Sequence, residues 1–452
     1  MNQLHGGDGA AYVVAVSMGY GHERAASALR GFAEGRKVIV ANEYEGIPKG
    51  DKKLWDLSRR WYERISRFKK VPVVGPMAFG VMDWVQQIEP FYPRRDLSAP
   101  TMQLRQTYAL IRRSGWCRHL IEELAKKPKP LVCTFMTAAF AAEENNYPGD
   151  IFLVCCDADV ARPWAPLNPY KSRIQYLAPT GRVAERLKLY GVRSENIHLT
   201  GFPLPPEAVG GPEAKQALED LSRRMCHLDP QGIFMEQAAP MLEARMGAQF
   251  CSAVKKGNGK AVSLTFAIGG AGAQREMGVT AACSLAQSIL AGKLQLNLVA
   301  GIRPEVGEYF RTQLKKCGLG EAVQDGRVNI IENKDRQEYF SSFNKLMMKT
   351  DILWTKPSEL SFYAGLGIPI LMAPTVGSQE DFNRQWLFQV GAGVKALDPR
   401  YADEWLWDWI NGGAFARMAW NGYINAPTHG AYRIEDVVRG RPFTMHQLPI
   451  VV

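Results

Sequence analysis

The sequence lacks the patterns that define several common protein classes. No apolar run approaches the roughly 20 residues that a membrane-spanning helix needs. No repeat of 20–50 residues indicates a solenoid. The apolar run 10–17 has no Lys or Arg before it and leads into a glycine-rich turn, so we expect a first strand there and not a signal peptide.

Paired-cysteine motifs of the C-x-x-C type are also missing. The eight cysteines include no C-x-x-C motif, and the seven histidines do not cluster with them, which argues against a zinc site. Cys133, Cys155 and Cys156 lie in apolar runs typical of buried strands. We therefore expect reduced thiols in the core of a cytoplasmic protein, with no metal.

Acidic residues are outnumbered by basic ones, which gives a formal net charge of +10. This balance favours an anionic partner. A nucleic acid, the phosphates of a nucleotide sugar and an anionic membrane surface all meet that condition, and the charge alone does not choose among them.

What the sequence does contain is an alternation of apolar strand-like runs with helical patterns, which is typical of parallel α/β sheets. A length of 452 residues predicts two domains. The Pro- and Gly-rich stretch Gly201–Lys215 is the best linker between them. The predicted strands are Tyr12–Val16, Lys37–Ala41, Leu131–Phe135, Ile151–Cys155, Ile174–Leu177, Ile197–Leu199, Val262–Ile268, Leu294–Ala300, Val328–Ile331, Ile352–Trp354 and Ile368–Ala373.

Residues 49–120 interrupt this alternation with about seventy residues that contain no clear strand. In the first part of the segment, apolar residues recur every three or four positions, which predicts an amphipathic helix. These residues are Leu54, Leu57, Trp61, Ile65 and Phe68, with Lys52, Lys53, Arg59, Arg60, Arg64, Arg67, Lys69 and Lys70 around them. Such a helix either lies on an anionic membrane surface or packs on a sheet with a solvated basic face.

The first strand runs into the turn SMGYGHERAASAL, in which Gly19 and Gly21 allow the backbone to approach a ligand closely. The dinucleotide fingerprint G-x-G-x-x-G is not met, because its third glycine position is Arg24. His22 follows the second glycine and is suited to general-base catalysis. A capping or hydrogen-bonding histidine is the alternative interpretation.

A second glycine-rich turn, GGAGAQREMG, follows the strand that begins at Val262. Gly269, Gly270 and Gly272 suit phosphate oxygens, but no G-K-[ST] is present, so a P-loop is not supported. Arg303 follows a later strand and either pairs with a diphosphate or lies on the surface.

Polar residues also follow several other predicted strands. In open α/β sheets, ligands bind beyond the carboxyl ends of the strands, so these residues are expected to contact a polar ligand. Lys356, Ser358 and Glu359 follow one strand, and Gln379, Glu380 and Asn383 follow the next. Asp157 and Asp159 follow an earlier strand, where a carboxylate binds hydroxyls, orients His22, acts as a base or simply stabilises a turn.

Four of these segments together resemble the GT-B glycosyltransferases. The similar branch contains monogalactosyldiacylglycerol synthase, diacylglycerol glucosyltransferases and the lipid II-forming N-acetylglucosaminyltransferase. The segments are SMGYGHERAASAL, the run Cys156–Pro206, AIGGAGAQ and TKPSELSFYAGLGIPILMAPTVGSQEDFN, and they occur in the family's order.

The resemblance implies two Rossmann-like, doubly wound parallel-sheet domains facing a cleft. Residues 1–205 would bind the acceptor and carry the basic helical insertion 49–120. Residues 206–420 would bind the nucleotide sugar, and the tail 421–452 would pack back on the first domain. It also implies an inverting transfer from a donor, usually UDP-linked, to a lipid acceptor on an anionic membrane surface in the cytoplasm. Neither a metal, a cofactor nor a nucleic-acid partner is expected.

The resemblance also assigns roles to residues. His22 would be the base or would position the acceptor, supported by Asp157 or Asp159. The acceptor would be bound by Ser17, Gly19, Gly21 and Trp164, and the diphosphate by Gly269, Gly270, Gly272 and Arg303. The remaining donor contacts would come from Asn333 (base), Lys356, Ser358, Glu359, Gln379, Glu380 and Asn383.

In one place the sequence departs from the family. The family's ribose-binding Glu is expected seven residues before Pro369, and that position is Phe362. We predict that Glu359 supplies the contact instead. A nucleotide-sugar epimerase of similar architecture and a non-catalytic GT-B binding module remain alternatives, whereas an oxidoreductase is disfavoured because neither glycine loop has the dinucleotide spacing.

Overall fold

The computed structural model describes residues 9–68, 88–255, 260–267, 274–375 and 378–442. The chain divides into two compact units. The first comprises Met1–Pro205, Thr375–Asn383 and His429–Val452, and the second comprises Pro206–Pro374 and Arg384–Thr428. Thr375–Asn383, which we expected in the second domain, is thus part of the first unit.

The first unit contains a six-stranded parallel sheet with the strand order β2-β1-β3-β4-β5-β6. Its central strands are apolar and fully buried, as expected when helices cover both faces of a parallel sheet. The order reverses between β1 and β3. The strands are β1 (Ala11–Ala15), β2 (Ala33–Val40), β3 (Leu131–Cys133), β4 (Ile151–Val154), β5 (Gln175–Ala178) and β6 (Ile197–Leu199).

Helices connect these strands. They are α1 (Tyr20–Ala28), α2 (Lys49–Phe68), α3 (Met102–Ser114), α4 (Arg118–Ala125), α5 (Met136–Glu144) and α6 (Gly181–Leu189), with 3-10 helices at Arg30–Phe32, Arg162–Trp164, Pro169–Lys171 and Ser194–Asn196. The core of the unit lies between the sheet and α2 to α6. Trp55 of α2 is 2% exposed and its ring centroid lies 4.7 Å from that of Trp116, so this tryptophan packs inside the unit.

The second unit contains another six-stranded parallel sheet, with the order β12-β11-β10-β7-β8-β9. Counted from its own first strand, this is the Rossmann order 3-2-1-4-5-6, which reverses between β7 and β10. The strands are β7 (Val262–Ala267), β8 (Leu294–Gly301), β9 (Val328–Glu332), β10 (Ile352–Thr355), β11 (Ile370–Met372) and β12 (Gly393–Lys395).

The remaining helices follow in chain order. They are α7 (Pro206–Val209), α8 (Lys215–Leu228), α9 (Ile233–Met246), α10 (Ala248–Lys255), α11 (Arg275–Ser284), α12 (Ala286–Leu290), α13 (Pro304–Lys316), α14 (Gly320–Gln324), α15 (Arg336–Met347), α16 (Ser378–Val390), α17 (Ala402–Asn411), α18 (Ala414–Asn425) and α19 (Gly430–Val438), with 3-10 helices at Glu359–Leu366 and Pro399–Tyr401. Trp354 of β10 packs against Phe266 of β7 and Trp405 of α17 in the core of this unit.

The prediction of an α/β protein with two Rossmann-like parallel sheets is confirmed, and this is the domain composition of the GT-B fold class. Each of the eleven predicted strands is present within a few residues, whereas β12, which is only three residues long, was not predicted. Among the described residues, no helix combines the length and the apolar character needed to cross a membrane.

The expectation that all cysteines are reduced core thiols is wrong for one pair. Cys283 and Cys317 form a disulfide, with their Cα atoms 5.4 Å apart. The first lies in the last turn of α11 and the second directly follows α13. Two packed helices bring them together across 34 residues of sequence, a proximity that sequence spacing does not reveal. The other six cysteines form no disulfide.

Candidate functional site

The turn after β1 lies at the carboxyl edge of the first sheet. Gly19 precedes α1 with φ 125° and ψ 167°, a conformation that L side chains rarely adopt, and no atom lies within 4 Å of where its Cβ would be. No side chain caps the helix there. Two hydrogen bonds to the side chain of Asn42 fix the backbone of the buried Ser17. The Ser17 N–H donates to Oδ1 of Asn42 (2.9 Å), and the Ser17 carbonyl accepts from Nδ2 of Asn42 (3.3 Å).

His22 lies in the first turn of α1 and is partly exposed. Its ring centroid is 5.0 Å from that of Phe135, which follows β3, and 6.0 Å from that of Trp164. Aromatic contacts on two sides fix the position of the imidazole at the edge where the strand order reverses. The predicted residues His22 and Trp164 are therefore brought together, with the Trp164 side chain largely buried.

Asp157, which follows β4, contacts a residue from a distant part of the sequence. Its Oδ1 accepts a hydrogen bond from Nδ2 of Asn383 (3.0 Å), and Oδ1 of Asn383 accepts from the N–H of Ala158 (2.7 Å). Asn383 is fully buried. We interpret Asn383 as a positioning residue rather than a direct donor contact. Gln379 and Glu380 lie four and three residues earlier on α16, so they share the helix face of Asn383, and both are partly exposed.

Asp159 is enclosed by two guanidinium groups. Its carboxylate accepts from Nε of Arg182 (3.0 Å) and from Nε and Nη2 of Arg186 (3.0 and 2.8 Å), and it also accepts from the N–H of Val160. The Asp159 and Arg186 side chains are fully buried. A carboxylate saturated in this way holds the loop to α6, so we assign Asp159 a structural role and keep Asp157 as the acidic candidate.

In the second unit, the strand order reverses between β7 and β10, and polar residues follow β10. Lys356, Ser358 and Glu359 are partly exposed there. Oγ of Ser358 accepts from the N–H of Leu360 (3.5 Å) and so begins the 3-10 helix Glu359–Leu366. This is the position at which a doubly wound sheet binds its ligand.

The geometry of that 3-10 helix bears on the prediction that Glu359 replaces the family's glutamate expected at position 362. Residues three apart eclipse one another in a 3-10 helix, so Glu359 and Phe362 lie on the same side, one turn apart. Phe362 is buried against Trp386, with ring centroids 5.0 Å apart. Glu359 is partly exposed where the helix begins. Glu359 therefore lies on the same side of the helix as position 362, which the prediction that it replaces the family's ribose-binding glutamate requires.

Two more residues that were predicted to contact the nucleotide-sugar donor lie at the same edge of the second sheet. Arg303 follows β8; its side chain is 42% exposed and its Nη1 lies 3.8 Å from Oε1 of Glu305. Asn333 follows β9 and donates from Nδ2 to Oγ of Ser342 (2.7 Å), while its Oδ1 is buried without a hydrogen-bond partner. An acceptor left in this state is available to an N–H of a ligand.

The glycine loop after β7 falls outside the described residues, so Gly269, Gly270 and Gly272 remain predictions. The first described residue after this loop is Gln274, whose Nε2 donates to the carbonyl of Pro374 (3.0 Å). This bond joins the exit of the loop to the residues that follow β11. Because the sheet is parallel, β7, β8, β9, β10 and β11 all end at this edge.

Sequence reasoning missed three hydroxyl groups at these edges. Thr134 follows β3, Thr355 ends β10 and Ser361 lies in the 3-10 helix that follows; all three are at most 1% exposed and their hydroxyl oxygens have no hydrogen-bond partner. A threonine at the end of a buried apolar strand was the available signal. Among the described residues, no group of three or more His, Cys, Asp or Glu side chains is arranged to hold a metal ion.

Comparisons with known proteins give distant likenesses. Residues 319–398, which include β9 to β12, match a family described as "Domain of unknown function (DUF6938)". No curated protein matches the sequence. Among solved structures, Acinetobacter baumannii MurG is similar at 12% identity over 95% of this chain and 99% of that chain, with a TM-score of 0.46.

Two epimerase structures are similarly distant. UDP-GlcNAc 2-epimerase from Neisseria meningitidis is 15% identical over 76% of this chain and 84% of that chain, with a TM-score of 0.43. A putative UDP-N-acetylglucosamine 2-epimerase from Listeria monocytogenes is 16% identical over 79% and 85%, with a TM-score of 0.44. Likenesses at this level assign no activity to this chain.

Proposed function

We propose that this protein is an inverting glycosyltransferase that moves a sugar from a nucleotide-sugar donor, UDP-linked in the resembling family, to a lipid acceptor at a membrane surface. The second unit would bind the donor and the first unit the acceptor. The proposal rests on the resemblance of four ordered sequence segments. It also rests on the polar residues that follow the strands at the carboxyl edge of each sheet.

The observation that carries the proposal is the composition of the edge between β7 and β10. A Rossmann strand order reverses there, a glycine-rich sequence follows one strand, and Lys356 and Glu359 follow the other. A binding site for a nucleoside diphosphate requires backbone N–H groups or cations for the phosphates and a carboxylate for the ribose hydroxyls. The buried, unpartnered Oδ1 of Asn333 adds an acceptor suited to a base N–H.

The transfer would proceed by direct displacement. The acceptor hydroxyl would lose its proton to His22 while its oxygen forms a bond to the anomeric carbon, and the bond from that carbon to the diphosphate oxygen would break. The nucleoside diphosphate leaves with the electron pair. Backbone N–H groups of the glycine loop and the N-terminus of α11 would stabilise its growing negative charge.

Support for a lipid acceptor comes from the outer face of α2. Lys53, Leu57 and Arg60 are exposed and recur at helical spacing, so one face of this helix presents two cations around an apolar residue. Such a face is suited to anionic lipid headgroups, and each cation near the surface would contribute about 1 kcal/mol. We therefore propose that α2 attaches the protein peripherally to the cytoplasmic membrane.

The test combines the protein with radiolabelled nucleotide sugars, a lipid extract and phosphatidylglycerol vesicles. We expect label to enter the organic phase with at least one donor, and we expect Lys53→Glu/Arg60→Glu to reduce vesicle binding while leaving donor affinity unchanged. Absence of labelled lipid with every donor, together with absence of donor binding by calorimetry, would overturn the transferase proposal.

A nucleotide-sugar epimerase is the second candidate, and one observation favours it. Trp55 and Trp116, both within the predicted insertion 49–120, pack against each other inside the first unit, so neither is available for contact with a lipid. An epimerase needs no lipid. Conversion of a nucleotide sugar into its epimer without lipid, followed by NMR of the sugar ring, would select this function over transfer.

A further inference from the structure

Arg433 is a buried cation in the first unit that has few partners. The residue is 3% exposed on α19. Its Nη1 donates to the carbonyl of Thr200 (3.2 Å), and its Nε is buried with no hydrogen-bond partner. Burial lowers the pKa of its guanidinium, as expected of a cation that lacks a compensating carboxylate.

Other buried arginines of the chain are satisfied differently. Arg186 pairs with Asp159, Arg162 donates to three backbone carbonyls, and Arg224 donates to four. Within the part of the chain that the structure describes, no carboxylate forms an ion pair with Arg433. The two acids nearest to it on α19, Glu435 and Asp436, pair instead with Arg439 and Arg441.

The N-terminus of α19 meets the same stretch of backbone as Arg433. Gly430 packs so closely on the segment after β6 that a Cβ atom there would collide with the carbonyl oxygen of Phe202. Arg433 contacts Thr200, two residues earlier. Helical side chains point toward the N-terminus of their helix, so the guanidinium and the first turn of α19 converge on one place.

Backbone donors at this place also lack acceptors. No side chain caps α19, and among the described residues no backbone carbonyl accepts from the N–H groups of Gly430 and Ala431, both of which are buried. Free N–H groups at a helix N-terminus bind oxyanions, and a guanidinium adds a charge-assisted fork for the same oxygens. The two features are independent, and both favour the same kind of ligand.

We propose that Arg433 and the N-terminus of α19 form a binding site for an oxyanion of the phosphate class. The site is built from the first unit alone, and it does not depend on the proposed transfer reaction. Its ligand is either free inorganic phosphate or the phosphate of a nucleotide. Both carry the same oxygens, and different probes separate the two sources.

The experiment measures binding of phosphate, pyrophosphate, UDP and uridine to the full chain by calorimetry, at constant ionic strength set with sodium chloride. We expect saturable binding of at least one phosphate-bearing probe in a component that is lost, or weakened at least about tenfold, in Arg433→Gln. Arg439→Gln, at the residue that directly follows α19, is the matched control and should bind like the wild type.

The pattern of loss identifies the source. Loss of phosphate and pyrophosphate binding with unchanged UDP binding assigns the site to free phosphate, whereas loss of a UDP component assigns it to a nucleotide. Because glutamine removes an uncompensated buried charge and keeps an N–H donor for the Thr200 carbonyl, we expect Arg433→Gln to fold. Should it not fold, Arg433→Lys, which keeps the charge but not the fork, should weaken binding several-fold.

Two results would overturn the proposal. One is wild-type binding of every phosphate-bearing probe by Arg433→Gln, or by Arg433→Lys if that variant replaces it. The other is absence of saturable binding of any of them to the wild type. Either result would leave Arg433 as an anchor for Thr200 only, and neither would bear on sugar transfer, which the labelled-lipid assay measures separately.

Discussion

Asn383 donates a hydrogen bond from its Nδ2 to Oδ1 of Asp157 over 3.0 Å, although 226 residues separate the two in sequence. The other end of the same amide accepts from the N–H of Ala158. One buried side chain thus closes the loop after β4. The polar motif that contains Gln379 and Glu380 is thereby attached to the acidic edge of the first sheet.

Replacement of this amide should destabilise the protein. Asn383→Ala leaves the N–H of Ala158 buried without an acceptor, which costs about 1–3 kcal/mol, in addition to the lost contact with Asp157. We expect the free energy of unfolding in urea to fall by about 2–3 kcal/mol. Asn421→Ala is the control, because its Nδ2 makes one longer bond of 3.4 Å to Gly391. Equal losses in the two variants would contradict the assignment.

The position of His22 predicts a kinetic effect. If His22 takes the proton of the acceptor hydroxyl, His22→Gln should lower turnover by about 100- to 10,000-fold while donor affinity stays unchanged. His198→Gln on β6 is the matched control, since that histidine bonds to Gln175 at the far edge of the sheet. Turnover would be measured by transfer of label and affinity by calorimetry. Near wild-type turnover in His22→Gln would remove the residue from the catalytic candidates.

Glu359 should carry the ribose contact in place of Phe362. A hydrogen bond to a charged group contributes about 1.5–3 kcal/mol, so Glu359→Ala should weaken donor binding about tenfold to a hundredfold. Glu213, which lies between α7 and α8 with its side chain 78% exposed, offers a control in Glu213→Ala. Calorimetry with UDP and with UDP-glucose gives both affinities. Unchanged affinity in Glu359→Ala would show that the donor site differs from that of the resembling family.

These residues also show what the sequence could predict. Strands such as Ile151–Val154 were found because buried parallel strands are continuous apolar runs, and the polar residues after them followed from topology. The partners of Asp157 and Asp159 could not be predicted, since Asn383 and Arg186 reach them only after folding. The same is true of Cys283, whose partner lies on another helix.

The disulfide between Cys283 and Cys317 should stabilise the second unit. A cross-link that closes a loop with a sequence separation of 34 residues restricts the unfolded chain, and such links contribute about 2–4 kcal/mol. Thermal unfolding in a reductant should therefore begin at a lower temperature than without it. The double variant Cys283→Ser/Cys317→Ser should unfold at that lower temperature under both conditions. Identical wild-type curves with and without reductant would show that the bond does not form in solution.

His198 predicts how stability depends on pH. Burial lowers the pKa of His198 below its ordinary value of about 6.5. The unfolded chain therefore takes up a proton near pH ~6.5 that the folded protein takes up only at lower pH, so protonation favours unfolding. Stability should fall as the pH decreases from about 6.5 toward the lowered pKa, and this component should be absent in His198→Gln.

Thermal unfolding of the wild type and His198→Gln at pH 7.5 and pH 5.5 measures the effect. Glutamine keeps a hydrogen-bonding group near Gln175, the partner of the His198 ring at 2.8 Å, but does not titrate. The loss of melting temperature on acidification should be smaller in the variant, with little difference between the two proteins at pH 7.5. An equal loss in both proteins would mean that the charge on His198 is accommodated in the folded strand, because only a difference in proton affinity between the two states makes stability depend on pH.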